Sequence, residues 1–315
     1  MSAPARAVVI VTCERDLAIN RLSVPEVIAH MAADEYQVIV PDGELARFRT
    51  ALPARASIVP ESSLLSGWTL SAIARQLPPA TAGRAGWYLQ QILKMQALAA
   101  LPAGSNAVIW DGDTIPLRSP VFVDDADRVG FYVGTERHAP YFATIARLLG
   151  IERAIAGSFI AQCMYVRVGW IHELIASLEQ RAARPWVEAL LAAITGQSPS
   201  EFSEYETIGT FAFRRHADQC FVNHRPWFRF GTAYCGGLDR ITPAHLRRLA
   251  GLFDFAAFER WDTGMRAAVR CRFRLLQRRF GTPATPQVNE RLPGRAPLDL
   301  EHAHAARARP DHQRE

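Results

Sequence analysis

The sequence predicts an α/β sandwich with a mixed, mostly parallel central sheet and a helical extension at the C-terminal end. Three observations predict it. Short apolar runs alternate with helical patterns through the first half of the chain, which is the rhythm of parallel β/α units. One of those runs, Ala107-Val108-Ile109-Trp110, ends directly in Asp111-Gly112-Asp113. The 315 residues, 49% hydrophobic and 21% charged, suffice to bury a full core in an ordinary soluble protein.

Taken in order, Ala7-Val8-Val9-Ile10-Val11-Thr12 reads as the first core strand, too short before Cys13-Glu14-Arg15-Asp16 to be a signal peptide. An amphipathic stretch at 23–33 and a strand at 37–40 follow, closed by the turn Pro41-Asp42-Gly43. Residues 57–79 are looser and rich in Ser and Pro. Residues 86–98 have helical character, and Pro102-Ala103-Gly104 ends that helix before the strand leading to Asp111. Beyond it come a strand at 128–133, a helix at 141–149, a strand at 162–168 and helices at 171–181 and 185–194. The second of these opens with Pro185, whose missing N–H is harmless in a first turn. Ser198-Pro199-Ser200-Glu201 fits an N-cap, a first-turn proline and a capping-box glutamate, so a short helix should hold Glu204-Tyr205-Glu206-Thr207 before a strand at 210–214. The expected organisation is a main domain at 1–240, basic helices at 241–281 and a disordered, aperiodic tail at 282–315.

No window holds 18 consecutive apolar residues, so a transmembrane helix is not expected. Cys13, Cys163, Cys220, Cys235 and Cys271 are scattered and show no C-x-x-C spacing, which argues against a disulfide framework or zinc site and for the reducing cytoplasm. The net charge of +5 is concentrated in Arg266, Arg270, Arg272, Arg274, Arg278 and Arg279. Interleaved with Val269, Phe273, Leu275, Leu276 and Phe280, these arginines suit either a helix on the anionic inner face of a membrane or a packed helix with solvated cations. No motif supports nucleic-acid binding.

The chemistry gathers around the carboxylate pair. Asp-Gly-Asp by itself is equally a polar turn, but two carboxylates at a strand end are also the oxygen ligands that Mg²⁺ or Mn²⁺ takes alongside substrate phosphates. In the preceding helix Trp87, Gln91 and Lys94 share a face at i, i+4 and i+7, either as a ligand-facing surface or as an ordinary amphipathic one. Lys94 is the sole lysine of the chain, and a lysine beside a metal-bound diphosphate would offset charge on a leaving group. Thr12, Glu14 and Asp16 follow the first strand, where the two acids can take ribose hydroxyls or cap the next helix. Glu136, His138 and Tyr141 fall in a loop kept extended by Pro140, a candidate acceptor side or a solvated surface loop. Glu204 and Glu206 are candidate general bases, of which one at most should reach a reaction centre; Glu204 is the choice. His216 and His224 could each complete a metal site, His224 being preferred because Arg225-Pro226-Trp227 suggests a fixed loop.

Three segments together, Gly86-Trp87-Tyr88-x-Gln90-Gln91-x-x-Lys94, Val108-Ile109-Trp110-Asp111-Gly112-Asp113-Thr114 and Ser203-Glu204-Tyr205-Glu206-Thr207-x-Gly209, resemble the GT-A glycosyltransferases. More narrowly they resemble a bacterial family of glycosyltransferase-like proteins with a D-x-D motif, over roughly residues 5–235. The resemblance implies a GT-A-like, nucleotide-binding α/β/α sandwich and transfer of a sugar from a nucleotide-sugar donor to a hydroxyl of a glycan or lipid-linked acceptor, as in surface-polysaccharide biosynthesis. It implies Mn²⁺ or Mg²⁺ on Asp113, Asp111 on the ribose or metal side, Thr12 and its successors on the nucleotide, and Lys94 on the phosphates. The late metal-binding histidine of the group would be His216 or His224. A haloacid-dehalogenase-like phosphatase, whose strand-end D-x-D sits on its first strand, is the alternative enzyme. A non-catalytic sugar-nucleotide-binding subunit is the alternative class.

Overall fold

A computed structural model describes residues 5–262 and Phe273. Strands β1 (Ala5–Val11), β2 (Ala33–Val40), β3 (Ala56–Pro60) and β4 (Asn106–Trp110) run parallel, and β7 (Cys163–Arg167) closes the sheet antiparallel to β4 in the order β3-β2-β1-β4-β7. The mixed, mostly parallel α/β sheet is therefore present. In β1, the consecutive residues Val8, Val9 and Ile10 are at most 1% exposed, and since successive side chains point to opposite faces, both faces of the sheet are covered.

Helix α1 (Leu17–His30) links β1 to β2, and α2 (Leu45–Ala51) links β2 to β3. Three β strands thus precede β4, and the looser segment supplies β3, α3 (Leu70–Gln76) and α4 (Pro79–Ala82). Helix α5 (Ala85–Ala99) leads into β4. After it come β5 (Thr114–Pro116), β6 (Val129–Tyr132), α6 (Ala139–Leu149), β7, α7 (Val168–Ala182) and α8 (Trp186–Ala192). Gly150, with φ of 67°, ends α6 in the left-handed conformation that glycine adopts without strain.

One expected strand is a helix. Residues 210–214 lie inside α9 (Glu204–Arg215), whose N-cap is Ser203, its Oγ accepting from Glu206 N at 3.2 Å. The capping box read at Ser198 to Glu201 sits in a loop, where Glu201 accepts from Thr195 and Ser198 instead. Ile208, Phe211 and Ala212 then recur at helical spacing on the buried side of α9, which the β-prone composition of 210–213 concealed.

The remaining elements are β8 (Cys220–Asn223), parallel to β6, then α10 (Gly231–Cys235), α11 (Pro243–Ala250) and β9 (Phe255–Ala257). Among its described residues the region read as basic helices holds α11 and a strand, β9, that pairs antiparallel with β5, Thr114 opposite Ala257. Phe273 is buried against Tyr234, with ring centroids 4.5 Å apart. Apart from Phe273, the arginine-rich stretch read as suiting a membrane surface or a packed helix, and the tail read as disordered, lie outside the described residues. No helix among the described residues is long and apolar enough to cross a membrane.

The turn after β4 is fixed from α1. Asn20 Nδ2 donates to the Gly112 carbonyl at 2.9 Å and Ser23 Oγ donates to the same oxygen. A Cβ on Gly112 would lie 2.7 Å from Asn20 Nδ2 and 3.3 Å from Ile10 Cγ2, so only glycine fits between the two carboxylates. Gly112→Ala is expected to cost about 1–3 kcal/mol through overpacking, checked by urea denaturation; an unchanged midpoint would contradict the assignment.

Candidate active site

The chain builds β1, β2 and β3 outward on one side, then returns to place β4 on the other side of β1. The carboxyl ends of β1 and β4 therefore flank the topological switch point, the crevice in which open α/β sheets bind ligands. Asp111 and Asp113 stand at that end of β4, and Thr12 at that end of β1.

A buried polar network holds Asp111. Lys94 from α5 donates to Asp111 Oδ1 and to Glu204 Oε1, the latter at 2.7 Å, while Tyr205 Oη donates to Asp111 Oδ1 at 2.9 Å. The lysine side chain is 3% exposed and lies 4.6 Å from the centroid of the Tyr205 ring. Burial disfavours the ammonium, but Asp111 and Glu204 outweigh it and hold the Lys94 pKa above its ordinary value. Lys94 is thus committed to two carboxylates rather than free to meet phosphates. Gln91, on the same face of α5, accepts from Glu204 N at 3.0 Å and so caps α9. The face of Trp87, Gln91 and Lys94 meets α9 and α6 instead of a ligand: Trp87 stacks on Tyr141 with centroids 6.2 Å apart.

Asp113 differs. Its carboxylate is half-buried and accepts no hydrogen bond among the described residues, and burial together with Asp111, Glu259 and Asp16, against Lys94, pushes its pKa up to about 8. Glu259 comes from the segment after β9, which returns beside the pair: Phe258 N donates to the Asp113 carbonyl at 2.8 Å. Arg229 donates to both Glu259 oxygens, at 3.1 and 3.3 Å, and to Glu136 at 2.8 Å. Arg260 donates to Asp16 at 2.9 Å. Among the described residues six carboxylates (Asp16, Asp111, Asp113, Glu136, Glu204, Glu259) thus gather here with the cations Lys94, Arg229, Arg260 and Arg15 paired to five of them, and Asp113 is left without one.

The remaining expectations divide. Thr12 Oγ1 donates to Asn20 Oδ1 at 2.8 Å beside Gly112, and Asp16 makes no cap hydrogen bond. Glu14 pairs with Arg47, so neither acid caps α1. His138 Nε2 hydrogen-bonds with the Ser200 carbonyl at 2.6 Å, and its ring meets Tyr141 edge-on at 4.4 Å, joining the loop before α6 to the loop before α9. Tyr141 is 7% exposed, and burial followed by the nearby Glu136 raises its pKa. His216 pairs with Glu173 at 2.9 Å and stacks on Trp170. His224 is exposed, and among the described residues no group of three His, Cys, Asp or Glu side chains is placed to hold a metal ion. The Asp111, Asp113 and His224 triad therefore does not form.

Glu204 is 3% exposed and ion-paired to Lys94. Glu206, 1% exposed, accepts from Ser158 Oγ, and burial pushes its pKa up to about 7. Sequence reasoning missed Tyr205, Asn20, Ser23, Arg229 and Glu259. Tyr205 stood inside a quoted motif, while the others are far from the pair in sequence and carried no local signal. The phosphatase alternative requires its motif on the first strand, whereas Asp111 ends the fourth.

Two solved structures of the galactosyltransferase LgtC are similar in arrangement. One, in complex with donor and acceptor sugar analogues, has 11% identity and a TM-score of 0.41 over 88% of this chain and 97% of that one. The other, an active-site mutant, has 13% identity and a TM-score of 0.42 over 88% and 97%. No curated protein matches the chain. A family model matches residues 15–224, two thirds of the sequence, and the chain belongs to that family, a family of unknown function (DUF6492).

Proposed function

We propose that the protein is a metal-dependent glycosyltransferase that takes a nucleotide-sugar donor in the crevice between β1 and β4. The observation that carries this reading is the half-buried carboxylate of Asp113, which accepts no hydrogen bond among the described residues and stands beside Asp111 at the switch point, near Glu259 and Asp16. Two carboxylates completed by phosphate oxygens and water suit Mg²⁺ or Mn²⁺, which seldom needs a full protein cage. Asp113 would ligate directly, and Asp111 through Oδ2, because Lys94 and Tyr205 occupy Oδ1. The ion would neutralise the nucleoside diphosphate as it leaves. Lys94 and Tyr205 orient Asp111 for that role, in place of the phosphate contact first expected of the lysine. Thr12 and the residues after it would line the nucleotide, and Glu136, His138 and Tyr141 the acceptor side, where a glycan or lipid-linked hydroxyl enters.

A nucleotide-sugar panel with Mn²⁺ tests the reading by thermal shift and nucleoside diphosphate release, since a ligand of the folded state raises its stability by mass action. At least one donor should raise Tm only with Mn²⁺ present. Asp113→Ala should abolish both signals, whereas Arg49→Ala at an exposed site should keep them. Binding or release that survives Asp113→Ala would refute the assignment.

A further inference from the structure

The segment that follows β9 does more than close a sheet edge. Glu259, Arg260 and Asp262 are each tied to a different part of the domain: Glu259 to Arg229, Arg260 to Asp16, and Asp262 Oδ2 to Ala233 N at 3.1 Å. Between these anchors stands Trp261, 57% exposed and the most exposed large hydrophobic side chain among the described residues. Its indole is not loose, because the Arg229 guanidinium lies 5.5 Å from the ring centroid. That guanidinium is fixed in turn by Glu136 and Glu259. Three charged neighbours and one cation–π contact thus hold an apolar face in water, which hydrophobic burial alone would not select.

Its position relates the face to the carboxylates. Phe258 N bonds to the Asp113 carbonyl, and three residues of chain reach at most about 11 Å, so Trp261 belongs to the short segment that packs beside Asp113. Its Arg229 support is held by Glu136, while the adjacent Arg260 is held by Asp16 after β1, so the exposed face lies between these two anchors. A pyranose has one face of C–H bonds and a rim of hydroxyls. An exposed indole meets the former by burying it, and flanking carboxylate oxygens can accept from the latter.

We propose that Trp261, on its Arg229 support, is the stacking platform for a pyranose ring of the acceptor, with Glu136 and Glu259 at the ring's hydroxyl rim. The inference rests on the glycosyl-transfer reading for the word acceptor, but the site itself is a saccharide-binding site with or without donor. Saturation-transfer NMR on the full chain, without nucleotide or metal, tests it with methyl hexopyranosides and their disaccharides as probes. At least one probe should bind the wild type. Trp261→Ala should weaken it about tenfold or more, and Trp261→Phe, which keeps an aromatic face, about threefold or less. Asp113→Ala should leave saccharide binding unchanged while losing Mn²⁺-dependent donor binding, so that failure of the transferase reading and failure of the platform are separately visible. Failure of every probe to bind wild type, or equal binding by Trp261→Ala, overturns the proposal; unchanged near-ultraviolet circular dichroism, apart from the lost indole, shows that the variants are folded.

Discussion

Asp113→Asn is expected to lower transfer by roughly 10³-fold, a loss of several kcal/mol of charge stabilisation, while raising the stability of the metal-free protein. The two effects share one cause. Burial and the negative charges of Asp111, Glu259 and Asp16 push the Asp113 pKa up to about 8, whereas an unfolded aspartate titrates near ~3.9. A raised carboxyl pKa means that the folded state binds this proton more tightly than the unfolded chain does. The metal-free protein should therefore lose stability as pH rises from about 4 to about 8, and the asparagine variant should lack that loss. Thermal unfolding in chelator at pH 5 and pH 8 measures it: the wild type should fall relative to Asp113→Asn at the higher pH, and Mn²⁺ should restore only the wild type. A variant less stable than wild type at pH 8 in chelator would remove the case for a carboxylate kept strained for a cation.

Lys94→Met should cost about 3–5 kcal/mol of stability, because it leaves two buried carboxylates without their shared cation. Asp111 would keep the Tyr205 hydroxyl, but Glu204, 3% exposed, would be left with Gln91 as its nearest anchor, and only through its backbone N–H. Adding Glu204→Gln should return a large part of the loss, and the double-mutant cycle from urea midpoints should give a coupling well outside additivity. The single variant should also regain stability as pH falls and its buried acids protonate. Loss below about 1 kcal/mol, the range of an exposed ion pair, would mean that Lys94 is not the centre of this network.

Much of the sheet was legible because parallel strands buried on both faces carry nearly continuous apolar runs, as β1, β4 and the last three residues of β2 do. The helix 86–98 was legible from its period and from the proline that ends the segment behind it. The start of α9 was not, since Ser198 and Ser203 both satisfy the local capping pattern, and only the contacts of Glu201 with Thr195 decide between them. Thr210 to Phe213 has the composition of a strand, and the packing of Ile208 and Phe211 into the core overrode it.

By itself the sequence determined that a β/α sheet would end one strand in Asp111-Gly112-Asp113 and that a lone lysine would stand on the helix before it, because periodicity and turn chemistry are local. Which groups that lysine faces was decided only in three dimensions. The antiparallel return of β9 brings Glu259, Arg260 and Trp261 to Asp113 across more than a hundred residues, and α9 turns Glu204 and Tyr205 onto Asp111. Charge acts through space, so the difference between the two aspartates, one bound and oriented, the other without a hydrogen-bond partner among the described residues, exists only once those distant segments have met.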